Sequence, residues 1–108
     1  MNNLLKFLLI LAFFGQSCKS SYDKIRTSGD APLVLKAANQ YYAKKNYLKA
    51  QTLYELIISS FKGQKESEDI YFNFAYCHYY LSEFELSSHL FKNFSNTFVN
   101  SPKREEAL

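Results

Sequence analysis

The sequence predicts an all-α fold, a short α-solenoid built of helical hairpins, with two repeats and the start of a third. Three observations carry that prediction. A shift of 37 residues lays Ala38 on Ala75, Tyr42 on Tyr79, Tyr47 on Phe84, Ala50 on Ser87, Leu53 on Leu90, Tyr54 on Phe91 and Phe61 on Phe98. What returns is a pattern of sizes: a small residue late in one apolar segment, an aromatic opening the next, a small residue three further on, and an aromatic four beyond that. Such spacings share one helix face, and a fixed period of this length marks a helical-hairpin repeat. Helix breakers and caps fall between the segments, with Ser28-Gly29-Asp30 before the first, Asn46 between the first and second, and Gly63 after the second.

Taken in order, the chain begins with an export signal over residues 1–17. Lys6 precedes an apolar run from Phe7 to Phe14, well short of the ~20 residues a membrane-spanning helix needs. Gly15-Gln16-Ser17-Cys18 follows and resembles a lipobox, where a bacterial lipoprotein is acylated on the cysteine thiol and cut before it. The alternative is an ordinary secretory leader with a cysteine nearby. If Cys18 carries lipid, each buried methylene adds ~0.8 kcal/mol of membrane affinity, so several chains anchor the protein. Lys19 rather than Asp stands next, which by resemblance to lipoprotein sorting favours the outer membrane. Residues 18–30 are then the lipidated cysteine and a polar tether.

Residues 31–108 hold the repeats, at 31–63, 67–100 and an incomplete third at 101–108. The first helix is expected from Pro32 to Lys45, with proline in the first turn, where its missing N–H is harmless. Asn46 caps a second helix expected to reach Phe61 and stop at Gly63. Glu66, Glu68 and Asp69 form an acidic first turn, favourable at the positive end of a helix continuing to Leu81. Ser82-Glu83-Phe84-Glu85 reads as a capping box opening a fourth helix to about Phe98. Ser101-Pro102 starts another, Lys103 to Leu108. Solenoids need at least about three repeats, so the expectation is a portion of a longer array.

The hairpins resemble the tetratricopeptide repeat, with Ala38 and Tyr41 at the small and aromatic positions of the first helix and Ala50 and Tyr54 at those of the second. His78 and Ser87 depart from that pattern in the second copy. The stretch 70–81 is aromatic nearly all round, so two of its faces need covering. By the offset, Phe74, Ala75 and His78 face the partner helix of their own hairpin. In such arrays the leading helices line a concave groove that holds peptides, which implies Asn39, Tyr42, Phe72, Tyr76, Tyr79 and Tyr80 as partner-binding residues. The alternative is that these rings pack between neighbouring hairpins.

No catalytic centre is expected. Cys77 lies mid-helix among large rings, the place of a small gap-filling thiol. His78 and His89 are eleven residues apart with no metal-ligand spacing, three glycines make no phosphate loop, and no cofactor is implied. The net charge of +3 is too small and too dispersed for a nucleic-acid surface. Asn39 and Asn73 stand where some repeat proteins clamp a carboxylate, but Leu35 takes the place of the expected lysine. No small-molecule substrate is indicated.

The order of Cys18, Ser28-Gly29-Asp30, Tyr41-Tyr42, Asn46-Tyr47, Ala75-Tyr76-Cys77-His78-Tyr79-Tyr80, Phe91-Lys92-Asn93-Phe94, Ser101-Pro102 and Glu105-Glu106-Ala107 resembles the amino-terminal part of the BamD family. These are repeat lipoproteins of the outer-membrane β-barrel assembly machinery. The resemblance implies a scaffold on the periplasmic face of the outer membrane, with unfolded β-barrel proteins and the other assembly subunits as partners. Two other readings stay open: a pilotin for secretin or pilus assembly, and a periplasmic repeat adaptor with a cleaved leader.

Overall fold

A computed structural model describes residues 20–108, which form six helices with no strand among them. The leader and Cys18 lie outside the described residues. In order the helices are α1 (Ser21–Arg26), α2 (Ala31–Ala43), α3 (Tyr47–Ile57), α4 (Glu66–Tyr80), α5 (Phe84–Thr97) and α6 (Arg104–Ala107). Each packs on the next, with only α1 and α6 short.

Helix α1 corrects the expectation of a polar tether over residues 18–30. Ser20 caps it by accepting from the Asp23 amide at 3.3 Å. Tyr22 and Ile25, three apart, then pack against the core beneath. Tyr22 meets Tyr41 edge-on at 5.8 Å, and Lys49 Nζ lies 5.0 Å from the Tyr22 ring and 5.4 Å from the Tyr41 ring. One apolar pair at helical spacing, with an ammonium over both rings, is enough to hold a six-residue helix that would not persist alone.

Helix α2 starts on Asp30, whose carboxylate accepts from the Leu33 amide at 3.2 Å, and α3 starts on Asn46, whose side chain accepts from the Lys49 amide at 3.4 Å. Helix α3 ends at Ile57 rather than reaching Phe61. There Ser60 N–H bonds the Ile57 carbonyl, a tighter three-residue step that turns Phe61 into the core, and Gly63 reverses the chain at φ +82°. The capping box at Ser82 is also corrected. Helix α5 begins on Glu83 without a side-chain cap, because Ser82 is left-handed at φ +64° and so is spent in the turn.

That turn has a counterpart. Lys45 is left-handed at φ +61°, and the N–H groups of Lys44, Lys45 and Asn46 bond the carbonyls of Gln40, Tyr42 and Tyr41. Moved 37 residues along, Leu81, Ser82 and Glu83 bond Cys77, Tyr79 and His78 at matching distances, 3.0, 3.0 and 2.9 Å against 3.1, 3.0 and 2.9 Å. The α2–α3 and α4–α5 connections are the same turn.

The small residues of the repeated pattern lie inside: Ala38, Ala50 and Ala75 are fully buried and Ser87 nearly so. The core has two clusters. Val34, Ala37, Ala38, Ala50, Leu53, Tyr54, Ile57 and Phe61 form the first, which Ile70 and Cys77 of α4 complete. Phe72, Phe94 and Ala107 form the second, with Tyr71, Tyr76, Phe91 and Phe98 around them. Helix α4 therefore has two buried faces, as its aromatic girdle requires, but their membership differs from expectation. Phe74 packs on the first cluster rather than toward α5. His78 is buried against the Phe74 ring, its Nδ1 3.4 Å from the Glu83 carboxylate without the alignment of a hydrogen bond.

The segment before α6 is tied back to α4. Ser101 donates to Glu68, Lys103 pairs with Asp69, and Tyr76 donates to Glu106 at 2.7 Å. Arg104 adds a bond from Nε to the Ser95 carbonyl of α5 at 3.1 Å.

Candidate functional site

The feature that stands out is a band of aromatic rings crossing α3, α4 and the start of α5. Tyr47, which opens α3, stacks on Tyr80 at the end of α4, with centroids 4.4 Å apart and planes 17° apart. Tyr80 in turn lies over Tyr76, one helical turn back, at 5.7 Å and 24°. Tyr79 meets both Tyr80 and Phe84 edge-on at 5.5 Å, and Tyr76 meets Phe91 at 4.9 Å. Tyr42 closes the other end against Tyr47 at 5.8 Å.

The band forms because both inter-helix turns place an aromatic just after the cap, Tyr47 after Asn46 and Phe84 after Glu83, beside the last turn of the preceding helix. Tyr79, Tyr80 and Phe84 remain about half exposed, at 47%, 49% and 57%. Half-exposed rings of this kind leave apolar surface open to a partner. Beside the band, α4, α5 and α6 flank an open trough of about 690 Å³ lined by Tyr76, Tyr79, Phe84, Ser87, Phe91 and the end of α6.

Of the six partner-binding residues expected, four come together here: Tyr42, Tyr76, Tyr79 and Tyr80. Phe72 does not. It is buried at 7% within the second cluster, with its ring edge-on to Phe91 at 5.8 Å and 5.1 Å from Phe94, while Tyr76, one turn on along the same face and edge-on to it at 5.0 Å, lies at the edge of that cluster. Asn39 is exposed on α2, away from the cavity's lining, and its Oδ1 accepts from the Tyr54 hydroxyl at 2.6 Å. Asn73 donates to that same hydroxyl at 3.2 Å. The two asparagines thus link α2, α3 and α4 through a buried tyrosine.

Tyr47, Phe84 and Phe91 belong to the site and were not among the expected residues. Their signal was in the sequence, since Tyr47/Phe84 and Tyr54/Phe91 are paired by the 37-residue shift. The rule that assigned grooves to leading helices passed over them.

Burial governs the ionisation of this region. The Tyr76 hydroxyl is pushed up to about 12, first by burial and then by its bond to the Glu106 carboxylate. Burial likewise raises Tyr42, with the neighbouring Tyr80 adding to it, and pushes the Cys77 thiol up to about 12. A thiol so held is neutral at physiological pH and a poor nucleophile. Among the described residues no group of His, Cys, Asp or Glu is arranged to hold a metal ion, and no helix is long and apolar enough to cross a membrane. The arrangement offers stacked rings beside a trough whose lining also carries Lys92 and Glu106.

No family model, curated protein or solved structure matches the chain.

Proposed function

We propose that the chain is a helical-repeat scaffold that binds other proteins, held on a membrane by lipid at Cys18. The observation that carries the first half is the recurrence, at 37 residues, of one inter-helix turn together with buried small residues on the helices it joins, Ala38 and Ala50 in the first pair and Ala75 and Ser87 in the second. A recurring turn with small residues buried at recurring positions is what a solenoid of tetratricopeptide type requires of its units.

Within that class the reading is a BamD-like lipoprotein of outer-membrane β-barrel assembly, positioned on the periplasmic face. Residues Gly15 to Cys18 support the anchor. The Tyr42–Tyr47–Tyr80–Tyr76–Tyr79 band supports the binding role, since half-exposed aromatic rings suit the aromatic ends of unfolded barrel strands.

Two measurements test this. Cells given labelled fatty acid should incorporate it into the wild-type chain and not into Cys18→Ala, which should accumulate as an uncleaved precursor absent from the outer-membrane fraction. Normal fractionation of that variant would end the lipoprotein reading. Affinity purification of the tagged chain should recover a large β-barrel subunit, and recovery of a secretin instead would replace barrel assembly with a pilotin role.

A further inference from the structure

The small net charge conceals a division along the chain. Residues 20–65, which hold α1, α2 and α3, carry eight basic residues and three acidic, while residues 66–108 carry three basic and seven acidic. In the first group the acids are engaged: Asp23 pairs with Arg26 at 3.3 Å, Asp30 accepts from the Leu33 amide, and Glu55 accepts from Gln51 at 3.0 Å. Among the described residues, Lys24, Lys36, Lys44, Lys45, Lys62 and Lys65 have no carboxylate within ion-pair distance. The fold does not need them to be basic. The recurring turn has Lys44 and Lys45 where its second copy has Leu81 and Ser82, and Asn46 and Leu48 where the second has Glu83 and Glu85, so one backbone serves a basic end and an acidic one. The basic turn lies beside the start of α1, for Tyr22 meets Tyr41 at 5.8 Å with Lys49 Nζ over both rings. Leu48, between Lys45 and Lys49, is 63% exposed. Ser20 is two residues past Cys18, at most about 7 Å of extended chain, which is inside the Debye length of about 8 Å at physiological salt. Charges at this end would therefore feel a membrane holding Cys18 before salt has screened them.

We infer that this end of the molecule, formed by α1 and the α2–α3 turn with Lys24, Lys44, Lys45 and Lys49, rests on the anionic phospholipid headgroups of the membrane that carries the anchor. The unpaired lysines meet headgroup phosphates, Leu48 enters the interface beside them, and the acidic second pair is turned away from a surface that repels it. Acyl chains fix where the protein is attached but leave its rotation free. Each basic residue near an anionic leaflet strengthens attachment roughly fivefold, so a group of them decides which face the anchored body turns to the bilayer. The location rests on the anchor half of the proposed function, and the choice of ligand rests on the lysines.

The chain contains no tryptophan, so Leu48→Trp in the processed, lipidated chain gives a single emitter beside the lysines, and Val99→Trp, at a 58% exposed position past the far end of α5, gives one in the acidic part. Each is reconstituted into vesicles of phosphatidylcholine, with and without phosphatidylglycerol, that carry a nitroxide on the headgroup of a minor lipid. Leu48→Trp should be quenched strongly with phosphatidylglycerol present, and less in phosphatidylcholine alone or at ~1 M salt, where the Debye length shrinks to about 3 Å. Val99→Trp should be quenched little in either. Lys24→Gln, Lys44→Gln and Lys45→Asn together should abolish the dependence on phosphatidylglycerol with the melting temperature unchanged. Lys49 stays in that variant because it braces Tyr22, and asparagine suits the left-handed position 45. Equal quenching in the two kinds of vesicle, equal quenching of the two reporters, or a triple variant that behaves as wild type overturns the inference and leaves the anchor standing. If labelled fatty acid does not enter the chain, the anchor reading fails by itself, and flotation of the chain as it is then made reads the face alone. Phosphatidylglycerol vesicles should float it, and the triple variant should bind at least about tenfold more weakly. Failure to float overturns the inference. So does retention on polyglutamate with no response to vesicles, which would give the face to an acidic protein.

Discussion

Tyr47 and Tyr80 stack face to face, centroids 4.4 Å apart, although 33 positions separate them and they belong to different helix pairs. The contact ties the start of α3 to the end of α4, so it sets how one pair sits on the next. Replacing either ring with alanine should lower the urea midpoint of unfolding. The double replacement should lower it by clearly less than the sum of the two, because the second ring has lost its partner. Strict additivity in such a cycle would mean that the rings do not support one another.

Ala50 is fully buried where α3 meets α2, whereas Ala43 is exposed at the end of α2. Ala50→Leu should destabilise by about 1 to 3 kcal/mol through overpacking, and Ala43→Leu by less than about 0.5 kcal/mol. Equal shifts in melting temperature would show the small-residue register to be wrong.

Phe72 and Tyr79 lie seven residues apart on α4 and separate core from surface. Phe72→Ala removes a ring from the second cluster and should cost about 3 to 5 kcal/mol. Tyr79→Ser should leave the melt within about 0.5 kcal/mol of wild type, yet weaken binding of a peptide copied from the aromatic end of a barrel strand, by about tenfold together with Tyr76→Ser. If Tyr79→Ser melts as early as Phe72→Ala, the band is core rather than binding surface.

Alkaline pH should unfold the protein through its buried tyrosines and thiol. Burial raises the Tyr54 hydroxyl from 10.0 to about 12, partly offset by the bond from Asn73, and raises Cys77 from 9.0 to about 12. In both groups the folded state holds the proton more tightly than the unfolded chain does. Their contribution is therefore complete below the unfolded values and is lost as pH climbs toward about 12. Stability measured by denaturant titration should begin to fall near pH 9, and Cys77→Ala should move that onset toward pH 10, where only the tyrosines titrate. An onset unmoved by the substitution would mean that the thiol is not held neutral by burial.

The helices and their order were legible in the sequence, because a helix face and its small-residue positions are local properties that repeat with the chain. Caps at Asp30 and Asn46, the breaker at Gly63 and the paired aromatics at 47 and 84 announce themselves within a few residues. Three things were decided only by packing. Helix α1 exists because Tyr22 and Ile25 find the core and Lys49 lies over the Tyr22 ring, contacts that no window around residue 22 contains. Ser82 left its capping role because the turn needs a left-handed residue there, a demand set by how α5 returns along α4. Phe74 went to the first cluster and Phe72 to the second because α4 serves two neighbours at once. A helix girdled with aromatics states that two faces will be buried, and which ring goes to which face is settled by the angle at which α3 and α5 approach it.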